Sequence, residues 1–175
     1  MSIAIRPATG GDVAAVDALL RKISSRSEEA AFVQRLCLDG DMVLMLVADD
    51  EESGALAGAV VFSRMAAEIG GKSIASIALA PLAVTPEYRE AGVGEALVQA
   101  GLEHLRAAGA MLCFVLGEPD FYGPFGFSAD WARGFATPYA GDYLLALPLQ
   151  DGAMPCGERG PATHATAFAQ LSGDW

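Results

Sequence analysis

The sequence predicts a mixed α/β fold that contains one buried strand–helix–strand unit. Short apolar runs typical of strands alternate with stretches whose apolar residues recur at helical spacing. The stretch from Ala80 to Gly109 combines both patterns, because an apolar strand, a glycine-containing turn and a helix follow one another there. The next strand, Met111 to Leu116, is nearly all apolar, as expected for a strand covered on both faces.

The first 40 residues predict one strand and two helices. Ile3 to Arg6 is a short strand, and Thr9 or Asp12 after it can cap a helix. The inward residues of that helix recur at helical spacing and are Val13, Val16, Leu19, Leu20 and Ile23. The second helix is expected from Ser27 to Leu38, ended by Asp39-Gly40. Its inward residues are Phe32, Val33 and Leu36.

Two apolar strands are expected next, from Met42 to Val47 and from Leu56 to Phe62. The residues between them, Asp49 to Gly54, are acidic and polar, so we expect a solvated hairpin loop. A longer excursion from Ser63 to Lys72 then leads into the strand that ends near Val84.

That strand stops at Val84 or Thr85, because Pro86 cannot donate to a sheet ladder. The following helix begins near Val93 and ends at Gly109. Its apolar face consists of Leu97, Val98, Gly101, Leu102, Leu105 and Ala108. Its polar face consists of Glu95, Gln99, Glu103 and Arg106.

The length suits one domain spanning residues 1–175, with a core at 2–150 and a C-terminal extension at 151–175. Residues 117–127 are dense in glycine, proline and aromatic residues, and a short helix is expected before the last strand, Tyr143 to Leu149. The extension is richer in glycine, proline and alanine than the core.

The bulk composition excludes several classes of partner. A formal charge of −11 disfavours nucleic acid and anionic membranes, and no apolar run reaches a membrane span of about 18 residues. The N-terminus shows no signal-peptide pattern, so we expect a cytoplasmic protein. The three cysteines, Cys37, Cys113 and Cys156, have neither paired spacing nor histidine neighbours, which favours reduced thiols over a disulfide or a metal site. The acidic surface favours a cationic substrate, or serves solubility alone.

Gly92 and Gly94 stand where a helix begins and its first N–H groups lack intrahelical partners. Together with the helix dipole and the Arg89 guanidinium, these groups predict an anion site for a phosphate or pyrophosphate. The alternative, a glycine-rich connection that serves only tight packing, stays open. A P-loop is excluded because no Lys-Ser/Thr pair follows, and a dinucleotide fingerprint because Leu97 replaces the third small residue.

The motif Arg89-x-x-Gly92-x-Gly94 after Leu82–Val84 resembles the coenzyme A signature of the GNAT superfamily of N-acyltransferases. Other phrases at matching positions are Ile5–Thr9 with Asp12, Leu56–Ser63, Leu116–Pro119, Phe121-Tyr122 and Phe125–Phe127. The latter three resemble a bacterial subgroup of predicted N-acetyltransferases. The resemblance implies the GNAT fold, a central mixed, mostly antiparallel sheet flanked by helices.

The resemblance also implies site residues, with acetyl-CoA as cosubstrate and no metal. Leu82, Ala83 and Val84 would lie along pantetheine, and the Val84 N–H would polarise the thioester carbonyl. The pyrophosphate would be held by the segment Arg89, Glu90, Ala91, Gly92, Val93 and Gly94. Tyr122 falls where the family's general acid stands. The competing interpretation of Tyr122 is an aromatic side chain packed against Phe125 and Phe127.

Three departures from the family pattern are visible. Glu90 and Glu95 flank the predicted anion site and should weaken it unless both carboxylates point to solvent. The strand Ser73–Val84 lacks the acidic residue that many relatives use as a base. The remaining candidates for the base are Glu118, Asp120 and a water chain. The alternative is that both carboxylates serve only as turn or helix-cap residues. On the acceptor side, three features are candidates for the acceptor pocket: Trp131, Arg133 and the loop after Arg64. The alternative is that they are ordinary surface residues. His104 and His164 are assigned no catalytic role.

The predicted function is an acetyl-CoA-dependent N-acetyltransferase that acts by direct attack of an amine in a ternary complex, with Tyr122 as acid. The acceptor is a small-molecule or peptide amine, and the sequence leaves a homodimer open. Because the strand carboxylate is missing, a non-catalytic acyl-CoA-binding regulator is the alternative. A protein without coenzyme A affinity is the third option.

Overall fold

The computed structural model describes residues 2–23, 27–151 and 154–171. The first part of the chain forms β1 (Ile3–Pro7), α1 (Val13–Ile23), α2 (Glu28–Asp39), β2 (Met42–Asp50), β3 (Leu56–Ile69) and β4 (Lys72–Val84). The second part forms α3 (Val93–Ala107), β5 (Leu112–Leu116), α4 (Pro119–Tyr122), α5 (Ala129–Ala132), β6 (Leu144–Pro148) and β7 (Arg159–His164). Short 3₁₀ helices cover Gly10–Asp12, Pro86–Ala91, Gly123–Phe125 and Thr166–Gln170.

Within the described residues, the strands form one seven-stranded sheet in the order β1-β2-β3-β4-β5-β6, and β7 pairs with β3. The pairs β1–β2, β3–β7 and β5–β6 are antiparallel, whereas β4 and β5 are parallel. The connection between the parallel strands contains α3, which is the predicted strand–helix–strand unit. The predicted fold class, a mixed and mostly antiparallel sheet flanked by helices, is confirmed.

The chain divides into two units that interleave along the sequence. The first is drawn from residues 1–62, 81–101 and 166–172, and the second from residues 63–80, 102–165 and 173–175. Of the residues assigned to the predicted single domain, 1, 24–26, 152–153 and 172–175 lie outside the described ones. Across the described ranges, no helix is long and apolar enough to cross a membrane.

The helices of the first unit bury the faces that the sequence predicts. The buried residues of α1 and α2 include Val16, Leu19, Leu20, Phe32, Val33 and Leu36. Phe32 packs edge-on against Phe168, with ring centroids 4.8 Å apart. Val13, the first residue of α1, is 53% exposed rather than inward. α2 ends at Gly40, whose φ of 73° is left-handed.

The predicted solvated loop at Asp49–Gly54 is wrong for its first two residues. β2 continues to Asp50, because β1 pairs with it as far as that residue. Asp49 forms an ion pair with Arg6 at 2.6 Å, and Asp50 is only 7% exposed. Residues 51–54 are exposed, as expected.

The predicted excursion from Ser63 to Lys72 is also wrong, because this segment forms a long hairpin. β3 continues to Ile69 and β4 begins at Lys72, with Gly70 and Gly71 between them at φ angles of 59° and 78°. Two successive left-handed residues give a tight turn whose twist matches antiparallel strands. From Ser63 to Ile69, buried and exposed residues alternate, and this period of two is visible in the sequence.

The C-terminal extension contributes a strand that the sequence analysis did not predict. β7 pairs with β3, from Met65 opposite His164 to Ile69 opposite Arg159. Gly160 and Pro161 lie within β7, and both residue types are depleted in strands. A proline is tolerated in a strand only at an edge or a bulge, and for this reason composition concealed β7.

Candidate active site

Hydrogen bonds to β3 fix the direction of the end of β4. The Thr85 N–H donates to the Ala57 carbonyl at 2.9 Å, and the Thr85 hydroxyl donates to the same oxygen at 3.3 Å. In an extended chain, successive residues point their backbone groups to opposite edges. The backbone groups of Val84, and those of Leu82 two residues earlier, therefore point to the edge of β4 that faces away from β3.

The last residues of β4 extend beyond its parallel pairing. The register with β5 runs from Ser76 to Leu79. The Val84 carbonyl accepts a hydrogen bond from Arg89 Nε at 3.3 Å. The Val84 N–H and the Arg89 guanidinium therefore lie at the same edge of β4, where an extended ligand can meet backbone donors beside a cation.

Residues 86–94, which we call the glycine turn, connect β4 to α3. A 3₁₀ helix covers Pro86–Ala91, and Gly92 follows with a left-handed φ of 77°. The first α-helical hydrogen bond of α3 runs from the Ala96 N–H to the Gly92 carbonyl, at 3.1 Å. The N–H groups of Val93 and Gly94 precede this bond, so they are donors at the positive end of the helix dipole. This is the geometry of an anion site.

Glu90 and Glu95 both have exposed side chains, and Glu95 lies on the predicted polar face of α3. The carboxylate of Glu95 nevertheless turns back toward the start of the helix. Its Oε2 lies 4.0 Å from the position that a Cβ on Gly92 would occupy. Because a carboxylate near a helix N-terminus interacts favourably with the dipole, Glu95 competes for the charge that an anionic ligand would use.

Tyr122 ends the short helix α4 and is 8% exposed. Its ring packs edge-on against Phe121, at 4.8 Å between centroids, and against Phe127, at 5.7 Å. The predicted packing of the Tyr122 ring against Phe127 is therefore correct. Phe125 packs against Phe121 instead. Among the described residues, no hydrogen bond engages the Tyr122 hydroxyl, which leaves its proton free for a ligand.

Burial raises the pKa of Tyr122 to about 12, with a smaller electrostatic contribution from Cys113 in the same direction. The buried Cys113 thiol has its own pKa raised by the same desolvation. Tyr122 is therefore protonated throughout the neutral range, as a general acid must be. The direction of the shift also increases the free-energy cost of releasing that proton.

Gly117, at the end of β5, provides the space that the Tyr122 ring occupies. A Cβ added at Gly117 would lie 2.9 Å from Cδ2 of that ring and closer still to Cε2. Contacts this short do not occur in folded proteins, so an alanine at this position must displace the ring or the strand. The Gly117 N–H donates to the Tyr143 carbonyl at 3.0 Å, which fixes the backbone here.

Comparison with known proteins identifies the family of this chain. A model of the acetyltransferase (GNAT) domain matches residues 4–129, which include both the glycine turn and Tyr122. The chain belongs to the GNAT acetyltransferase family. This confirms the predicted family and the predicted enzyme class, N-acetyltransferase.

Bacterial GNAT relatives agree with this assignment. The uncharacterized N-acetyltransferase YhbS of Escherichia coli K12 is 39% identical over 116 residues, which cover 66% of this chain and 68% of YhbS. The crystal structure of E. coli YhbS in complex with CoA has a TM-score of 0.83 and 30% identity, and covers 97% of this chain and 93% of that one. A GNAT family acetyltransferase from Brucella melitensis in complex with acetyl-CoA has a TM-score of 0.72 and 28% identity, and covers 95% and 98%.

The other residues singled out in the sequence pattern lie mostly at exposed positions. Glu118 and Asp120 are exposed at the start of α4, and the Glu118 side chain makes no cap hydrogen bond. Arg133 pairs with Asp130 at 2.7 Å, and Trp131 is 40% exposed. Burial lowers the pKa of His164 to about 4, so this ring is neutral at physiological pH. Within the described ranges, no cluster of three or more His, Cys, Asp or Glu residues could hold a metal ion.

The structure adds a contact to the glycine turn that sequence reasoning missed. The Tyr88 hydroxyl donates to Asp50 Oδ2 at 2.6 Å across 38 positions of the chain. This hydrogen bond lowers the pKa of the Asp50 carboxyl and raises the pKa of the Tyr88 hydroxyl. No local sequence signal links two residues this far apart, although Tyr88 adjoins Arg89 in the motif.

Gly117→Ala should destabilise the protein, because the added methyl group overlaps the Tyr122 ring. Overpacking of this kind costs about 1–3 kcal/mol of unfolding free energy. The matched control is Gly123→Ala, where nothing lies within 4 Å of the added Cβ and φ is −55°. Denaturant unfolding of both variants measures the difference. Equal stability of the two variants would show that Gly117 does not seat the Tyr122 ring.

Proposed function

We propose that the protein transfers the acetyl group of acetyl-CoA to a primary amine by direct attack in a ternary complex. The observation that carries the proposal is the glycine turn, where free N–H groups and Arg89 follow a strand end that extends beyond its pairing with β5. The CoA and acetyl-CoA complexes of the two GNAT neighbours support the choice of ligand. We further propose that the enzyme acts in the cytoplasm on a small-molecule or peptide amine, for which its charge of −11 is favourable.

The cofactor would bind along β4 and the glycine turn. Its pantetheine arm would lie along Leu82, Ala83 and Val84, and its amides would pair with the backbone groups of Leu82 and Val84 that point to the free edge. Its pyrophosphate would be held by Arg89 and by the N–H groups of Gly92, Val93 and Gly94. Glu90 and Ala91 would border that site through their backbone, since both are exposed within the turn.

The reaction requires three tasks of the enzyme. The amine must lose a proton so that its nitrogen can attack the thioester carbonyl carbon, and the resulting oxyanion would accept a hydrogen bond from the Val84 N–H. When the carbon–sulfur bond breaks, the thiolate needs a proton, which the Tyr122 hydroxyl would donate. The products are an amide and the free thiol of CoA. Glu118, Asp120 or a water chain would remove the amine proton.

Release of free thiol from acetyl-CoA in the presence of a panel of amines tests the function. Activity on any amine, above the rate of hydrolysis without one, supports the acetyltransferase. Persistent inactivity together with CoA binding would instead support a non-catalytic acyl-CoA-binding protein. If acetyl-CoA fails to raise the melting temperature, the protein has no affinity for it and the proposal fails.

Tyr122→Phe should lower kcat by about 100-fold, a typical contribution of a general acid, because the variant keeps the ring but has no proton to donate. The dissociation constant of CoA should change by less than about twofold, since binding is assigned to other residues. Tyr143→Phe is the matched control, because Tyr143 is 44% exposed and has no assigned role. Unchanged turnover of Tyr122→Phe would remove the acid assignment.

The pH profile of the unmodified enzyme gives a second test of the same residue. A general acid is active while protonated, and the pKa of Tyr122 is raised to about 12. Tyr122 should therefore stay protonated between about pH 8 and pH 10, and kcat should be constant over that range. A decline of kcat in that range, absent from Tyr122→Phe, would show that the acid titrates lower than burial implies.

Glu95→Gln should strengthen CoA binding by about two- to fivefold, because it removes a negative charge from the start of α3. The same change should slightly lower the stability of the protein without ligand, since the helix loses a favourable charge at its N-terminus. Glu103→Gln, on the same exposed face but two turns further along α3, is the control and should do neither. Calorimetric titration at low salt measures the affinities, and equal affinities in all three proteins would contradict a competing role for Glu95.

A further inference from the structure

We propose that the hydrogen bond from Tyr88 to Asp50 holds the glycine turn in the shape that presents Arg89 to a pyrophosphate. Tyr88 is then a positioning residue for the part of the ligand that carries phosphate. This inference rests on the proposed function, because it assumes that the turn binds coenzyme A.

Asp50 is a fixed point on the protein. The residue is 7% exposed, and while Oδ2 accepts the Tyr88 hydroxyl, Oδ1 accepts the Glu52 N–H at 3.0 Å. Its backbone N–H donates to the Ala55 carbonyl at 2.9 Å, and its own carbonyl accepts the Gly54 N–H at 2.7 Å. A carboxylate held from both oxygens and through its backbone cannot follow a moving loop, so it anchors whatever binds to it.

The glycine turn depends on this anchor between its two ends. At the start, Thr85 is bonded to Ala57, and at the end, Val93 is buried in α3 with 1% exposure. Within residues 86–91, all of which the structure describes, Tyr88 is the one side chain that is not exposed. Its hydroxyl is thus the link between the middle of the turn and the β2–β3 hairpin.

Arg89 follows Tyr88 directly, so the position of one fixes the backbone of the other. Nε of Arg89 donates to the Val84 carbonyl, which leaves its terminal nitrogen atoms for an anion. Without the Tyr88 anchor, the turn samples other shapes, and a pyrophosphate must select the correct one at a cost in affinity. A ligand that ends before the pyrophosphate does not use the turn and does not bear that cost.

The test compares two acetyl donors in Tyr88→Phe, which keeps the ring and removes the hydroxyl. With acetyl-CoA, KM should rise about tenfold while kcat stays within about twofold, because a hydrogen bond to a charged group is lost. With S-acetylpantetheine, which lacks the pyrophosphate and the nucleoside, kcat/KM should be the same in both proteins. A purely structural defect would lower the active fraction, and hence the rate, with both donors equally.

Substitutions of Asp50 complete the test. Asp50→Asn retains an oxygen that can accept the Tyr88 hydroxyl, so its KM for acetyl-CoA should rise less than in Tyr88→Phe. The double variant should have the same KM as Tyr88→Phe alone, because without the Tyr88 hydroxyl the Asp50 side chain no longer has this bond to the turn. Equal effects on both donors, or an unchanged KM for acetyl-CoA, would overturn the inference. An unmodified protein that neither binds nor uses acetyl-CoA would overturn the proposed function, and this inference with it.

Discussion

The candidate site depends on the abrupt change of backbone direction at Gly92. The strand β4 must end before Pro86, and α3 must begin at Val93, so the chain turns within a few residues. A left-handed φ of 77° at Gly92 completes that turn, and residues with a Cβ rarely adopt this conformation. The same turn leaves the first N–H groups of α3 free, and in the proposed function these groups bind the pyrophosphate of coenzyme A.

Burial decides how the proposed acid behaves. Tyr122 is enclosed by aromatic rings and by the space that Gly117 leaves, and this apolar surrounding keeps its hydroxyl protonated. A protonated donor suits the departure of a thiolate, yet the raised pKa makes full proton transfer expensive. In the proposed mechanism, the Val84 N–H stabilises the thioester oxygen. This lowers the barrier to attack by the amine, a step separate from the departure of the thiolate.

The sequence predicted those features that depend on local rules. Pro86 and Gly109 marked element ends, and the helical stripe of α3 placed Leu97 and Val98 inside. The sequence-based prediction failed where contacts between residues far apart in the chain determine the structure. Asp50 was assigned to solvent because its neighbours are acidic, whereas pairing with β1 and the Tyr88 hydroxyl bury it. β7 was missed because its partner strand, rather than its own composition, determines its conformation.

The central claim is that the glycine turn and the free edge of β4 bind coenzyme A, and amide NMR spectra of the ¹⁵N-labelled protein test it most directly. Titration with CoA should shift the amide signals of Gly92, Val93 and Gly94 together with those of Leu82 and Val84. Pantetheine alone should shift only the Leu82 and Val84 signals, because it lacks the pyrophosphate. CoA binding that leaves all three signals of the turn unchanged would contradict the account.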